Sequence, residues 1–117
     1  MESVFSETHF TVTGKSTIIC NNKIIFGSNN LISWEVLIMD TDYHKIYNED
    51  HLCINEDIPI VFGDKVWIGC RSTVLKGTHV PLGVIIAFGS VVTGNLERNN
   101  CIYTDKIVLK ERVFWES

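Results

Sequence analysis

No run of basic residues occurs in this sequence. Its ten Lys and Arg are scattered among fourteen Asp and Glu, for a net charge of −4. A nucleic-acid binder needs a concentrated basic face, so that class is excluded. No apolar stretch approaches the roughly 20 residues of a membrane span. Residues 1–7 lack the basic start and long apolar stretch of a signal peptide. The four cysteines, Cys20, Cys53, Cys70 and Cys101, match neither a zinc spacing nor a tight disulfide framework. They read as reduced thiols of a cytoplasmic protein, most simply small buried hydrophobes.

What is present is an apolar fraction of 45% in 117 residues. That is enough for one folded domain of modest core and too much for a disordered chain. From Phe62 onward every sixth residue is apolar: Phe62, Ile68, Val74, Val80, Ile86 and Val92. At this composition six such hits in a row arise by chance about once in a hundred per register. The fourth residue after each slot (Val66, Ser72, Thr78, Val84, Ser90, Leu96) is never charged. The same phase holds upstream at Phe26, Ile32 and Ile38, then weakens to Cys20 and Gly14, with Ile18, Ile24 and Val36 in the fourth position.

An α-helix does not repeat at six, because its period is 3.6. Hexapeptide repeats mean short strands joined by tight turns, three sides to a coil, stacked as a parallel β-helix with the slot residues inward. Glycines at fixed offsets suit corners of positive φ. Continued past Ile38, the register puts His44, Asp50 and Glu56 inward. Three ionisable groups cannot line a narrow apolar core, so residues 44–59 read as an extruded loop. Pro59 favours extended geometry on re-entry. The period ends again after Val92, where Arg98 and Thr104 follow. The expected layout is a single domain, 1–117, with coils at about 14–43 and 60–97 and a tail at 98–117. That tail is apolar enough to pack on the coils, as strand or as helix.

Phe62-Gly63-Asp64-Lys65-Val66-Trp67-Ile68-Gly69 resembles the I-G-D-x-V-W-I-G signature of the hexapeptide-repeat acyltransferases. Leu75-Lys76-Gly77 and Gly89-Ser90-Val91-Val92-Thr93 resemble later coils of that family. Ile32 to Val36, leading into Ile38-Met39-Asp40-Thr41-Asp42-Tyr43-His44, resembles the stretch ending in its catalytic histidine. The likeness is strongest to O-acetyltransferases of bacterial surface-polysaccharide synthesis. It implies a left-handed parallel β-helix, a homotrimer with sites between chains, acetyl-CoA as co-substrate, a sugar or glycan acceptor, and no metal. Where the family often has Lys after the Thr of G-S-V-V-T, this chain has Gly94, and Phe88 stands where a small residue is usual.

The resemblance makes His44 the base that takes the acceptor's proton, a role suited to imidazole. Asp40 and Asp42 are candidates to orient His44 or bind an acceptor hydroxyl, or are plain solvated carboxylates. Trp34, Asn55 and Tyr47 are candidates for the acceptor. Trp67 packs at a subunit face or against the coenzyme. Gly69, Cys70, Ser72, Gly89 and Ser90 are candidates to offer backbone groups to the pantetheine arm, or are coil corners. Thr93, Lys106 and Lys110 are candidates for its nucleotide end. His51 reads as a loop residue and His79 as solvated, while His9 has no motif around it. Two other functions stay open: a non-catalytic scaffold, and a zinc hydratase of the same fold built on His44, His51 and His79.

Overall fold

A computed structural model describes residues 4–6, 10–12 and 14–116. His9 and part of the amino-terminal stretch 1–7 lie outside the described residues. The described residues form strands and turns with no helix. The first coil is β1 (Val4–Ser6), β2 (Phe10–Val12) and β3 (Thr17–Ile19); the second is β4 (Ile24–Phe26), β5 (Asn30–Ile32) and β6 (Leu37–Met39). After the loop come β7 (Ile60–Phe62), β8 (Trp67–Ile68) and β9 (Thr73–Val74), then β10 (His79–Val80), β11 (Ile85–Ile86) and β12 (Val91–Val92). A hairpin of β13 (Ile102–Thr104) and β14 (Ile107–Lys110) ends the chain.

The strands stack into three sheets, one per side: β1-β4-β7-β10, β14-β13-β11-β8-β5-β2, and β12-β9-β6-β3. All pairs are parallel except β13–β14. Val61 pairs with His79, eighteen residues on, as three sides of six require. This winding is the parallel β-helix expected from the period, left-handed as the family resemblance implied.

Every apolar slot from Phe26 through Val92 is at most 2% exposed. Phe26 and Phe62 stack across the loop's exit and return, centroids 4.8 Å apart and planes within 8°. That distance is the coil rise itself, so two rings fill the axis where the backbone detours. The fourth-position residues also point inward. Where they are polar, their hydroxyls close on nearby carbonyls: Ser72 Oγ on Ala87 O at 3.0 Å, Thr78 Oγ1 on Leu75 O at 2.6 Å, Ser90 Oγ on Ala87 O at 2.7 Å. Buried hydroxyls without partners would destabilise the core.

The structure corrects the period at both ends. Thr17 pairs with Leu37 and Ile18 with Ile38, twenty residues apart, so Ile18 takes the axial slot and not the fourth position. The first coil is two residues longer than six-per-side counting allows, which is why the upstream phase seemed to fade. Downstream, Ile86 pairs with Tyr103, seventeen residues on. One residue is dropped, and Tyr103 fills the axis at 3% exposed where strict counting predicted Thr104. The tail is strand. It folds back so that the Trp115 indole N–H donates to the Lys65 carbonyl at 2.7 Å.

Glycine also serves differently from expectation at Gly69, whose φ is not positive. A Cβ there would lie 2.6 Å from the Ile86 carbonyl oxygen of the next coil, so the residue permits close approach.

Candidate active site

The chain leaves the coil after β6, and Asp40 marks the exit. Its carboxylate is 0% exposed and accepts backbone N–H groups of Asn21, Asn22 and Lys23 at 2.8, 2.8 and 2.7 Å. That corner holds the two extra residues of the first coil. Asp40 thus pins the long corner. It is neither a solvated carboxylate nor part of the lining of the His44 cavity.

The next residues turn outward. Thr41 Oγ1 accepts the Tyr43 N–H at 3.1 Å. The His44 N–H donates to the Asp42 carbonyl at 2.7 Å, closing a three-residue turn with Tyr43 at its centre, φ +66°. A bulky residue at positive φ is a steric outlier held in place by its surroundings. Residues 46–54 then form a small antiparallel hairpin, with Tyr47 bridged to Cys53 and Asn48 Oδ1 accepting the Asp50 and Leu52 N–H groups.

Asn55 closes the neck of this loop. Its Nδ2 donates to Asp42 Oδ2 at 3.0 Å and to the His44 carbonyl at 2.8 Å, while its Oδ1 accepts the Ile46 N–H at 2.6 Å. Lys76, from the coil below, donates to Asp42 Oδ2 at 2.8 Å and to the Glu56 carbonyl at 3.1 Å. The Lys76 hydrogen bond, then that of Asn55, holds the Asp42 carboxyl below its ordinary value. The Thr41 hydroxyl, then the Asn21 amide at 2.6 Å, does the same for Asp57. Asn21, Thr41, Asp42, Tyr43, His44, Lys45, Asn55, Glu56 and Asp57 line a cavity of about 220 Å³ that is partly open to solvent.

Of the residues singled out in the sequence, His44, Asp42 and Asn55 share this cavity. Tyr47 is exposed on the loop hairpin and His51 stands at that hairpin's tip, at φ +62°. Trp34 is exposed on the corner between β5 and β6 and does not line the cavity. Thr41, Asp57, Asn21 and Lys76 had no role in the sequence reading. Extending the Ile38–Val74 pairing by two residues sets Lys76 beside Asp40 at the loop's exit, and that count could have found it.

The residues expected around the coenzyme scatter. Trp67 Nε1 donates to Ser33 Oγ at 3.2 Å, and its ring meets Trp115 of the same chain at 5.9 Å. Its packing partner is therefore the chain's own tail. Ser72 and Ser90 are sealed inside, and their carbonyls accept the Leu37 and Thr73 N–H groups. Their hydroxyls and carbonyls are thus engaged within the coils. The Gly69 N–H donates to Ile86 O, and the Cys70 carbonyl accepts the Gly89 N–H. Gly89 itself is exposed, with nothing within 4 Å of an added Cβ. Thr93 and Lys110 are exposed, as is Lys106, whose ammonium lies 3.1 Å from where a Cβ on Gly94 would stand. The terminal hairpin thus carries a cation to the position that lacks a side chain. Among the described residues, no three His, Cys, Asp or Glu side chains converge as a metal site. No described helix is long and apolar enough to cross a membrane.

The fold is that of the hexapeptide-repeat β-helix proteins, and the proteins of similar sequence are named O-acetyltransferases, as the sequence motifs led to expect. No protein-family model matches the chain. The putative lipopolysaccharide biosynthesis O-acetyl transferase WbbJ of Escherichia coli K12 is 28% identical over 128 residues, covering 97% of this chain and 65% of that protein. The polysialic acid O-acetyltransferase of Neisseria meningitidis is 35% identical over 65 residues, covering 55% of this chain and 30% of that protein. The crystal structure of the polysialic-acid-specific acetyltransferase NeuO superposes with a TM-score of 0.88 at 23% identity, over 98% of this chain and 55% of that one. The chain therefore spans less than two thirds of each of these proteins.

Proposed function

We propose that this chain forms the β-helix of an acetyl-CoA-dependent O-acetyltransferase acting on a sugar or surface glycan, with His44 as general base. The observation that carries the reading is His44 at an open, polar cavity where the chain leaves the coil, in a chain whose relatives are named O-acetyltransferases. In this reaction the imidazole takes the proton of the acceptor hydroxyl as its oxygen attacks the thioester carbonyl. The tetrahedral intermediate expels the coenzyme's thiolate, and the imidazolium returns the proton to that sulfur. The new bond is an ester to the glycan oxygen, and the broken one is the thioester. Asp42 and Asn55 contribute by holding the His44 backbone.

For the coenzyme, Gly89, Thr93 and Lys106 stay available, with Lys106 suited to a phosphate. We also propose a homotrimer, because the flat outer sheets of a solenoid are natural mating surfaces, and a cytoplasmic location. The sealing of Ser72 and Ser90 favours a second reading, a non-catalytic scaffold.

His44→Ala separates the two. The enzyme reading expects kcat for thiol release from acetyl-CoA to fall by about 10²–10⁴, with coenzyme binding by calorimetry retained. Unchanged turnover removes His44 from the mechanism, and absent coenzyme binding in the parent chain supports the scaffold.

A further inference from the structure

We propose that Lys76 is a positioning residue for His44, acting across coils through Asp42 and Asn55. The proposal rests on the reading of His44 as the base. His44 follows a turn whose central residue, Tyr43, is held at φ +66°. Left to itself, a tyrosine there relaxes to negative φ and swings the imidazole away. The local hydrogen bonds, Tyr43 N–H to Thr41 and His44 N–H to the Asp42 carbonyl, all lie within the same four residues. They move with the turn and cannot anchor it to the scaffold.

Thr41 is tied through Asp57 to Asn21 of the first coil's corner, but the tie that reaches His44 itself comes from Lys76. Lys76 stands on the coil below, two residues after the axial Val74, and its side chain is 19% exposed. Its ammonium reaches the Asp42 carboxylate at 2.8 Å and the Glu56 carbonyl at 3.1 Å, one on each strand of the loop's neck. Asn55 shares the same carboxylate oxygen and reaches the His44 carbonyl. One cation from the rigid stack therefore ties the outgoing chain to the returning chain, and Asn55 passes that tie to His44. Charge-assisted bonds of this kind are stronger than neutral ones and direct geometry well. A misplacement of about 1 Å in a catalytic group can cost on the order of 100-fold in rate.

The test is Lys76→Met, which keeps the stem and removes the ammonium, beside Lys76→Arg. The first readout is independent of turnover: amide exchange at His44. In Lys76→Met it speeds at least tenfold while β10 and β11 amides are unchanged; in Lys76→Arg it returns most of the way. The second is acetyl-CoA thiol release with polysialic acid and lipopolysaccharide-derived oligosaccharides as acceptors. There kcat falls about 10–100-fold with KM for acetyl-CoA unchanged, and adding Lys76→Met to His44→Ala costs nothing more. Unaltered His44 exchange overturns the proposal, as does a loss that persists undiminished in His44→Ala. Wild-type turnover in His44→Ala sinks the base assignment instead, and the exchange result then stands as a loop anchor alone.

Discussion

Ile38 and His44 are six residues apart and would occupy successive slots of one register. Ile38 is fully buried on the axis, whereas His44 is exposed at the loop's neck. The two regions they belong to are organised by different forces. In the coils, position is set by the ladder and by apolar side chains that need only be the right size. At the neck, position is set by a few polar pairs, each between named atoms, which hold a backbone turn the chain would not adopt alone. Asp40 and Asp42 divide the same way at closer range: one carboxylate is spent on the first coil's corner, the other on the loop. The scaffold tolerates approximate chemistry, and the site does not.

The comparison can be broken from the scaffold side first. Phe62→Ala empties half of the ring stack that spans the detour. It is expected to cost about 3–5 kcal/mol in denaturant unfolding, while kcat of the fraction still folded is unchanged. A fall in kcat to match would mean the axis and the neck are one unit. Asp40→Ala comes next. It leaves three backbone donors of the 21–23 corner without their acceptor, at about 2–3 kcal/mol, again with little change in kcat. If it instead matched Lys76→Met in turnover, the line between scaffold and loop would have to be redrawn on the far side of Asp40.

The smallest effect is the response to acid. Asp42 and Asp57 both have carboxyls held below 3.8 in the folded chain. Their contribution is fully present above the unfolded value of about 4 and is lost as the pH falls through the folded values. Amide exchange at His44 and Ile46 should therefore show no carboxylate-driven loosening from pH 7 to 5, and loosening below about pH 4. A transition between pH 5 and 7 would assign the neck to some other group.

Much of the coil was legible because the signal is redundant. Nine axial residues from Phe26 to Val92 repeat one requirement, and each coil repeats the last. Single insertions and deletions were not legible. The two added residues at the Asp40-pinned corner and the one dropped before Tyr103 leave no mark on composition, so Ile18 and Tyr103 were misplaced by counting. Ser72 and Ser90 were ambiguous for a related reason. A small polar residue looks the same in sequence whether its hydroxyl faces a ligand or closes on a carbonyl inside the coil.

The sequence by itself determined that the chain winds in threes, that residues near 44–59 leave the stack, and that a histidine stands where they leave. Apolar burial at a period of six has one solution, and three ionisable slots cannot join it. Only the tertiary structure decided which side chains meet at that opening. Asn21, Asn55 and Lys76 come to Asp42 and Asp57 from three separate stretches of chain, and their meeting depends on the course of the loop and on a first coil of twenty residues, which the period of six does not record.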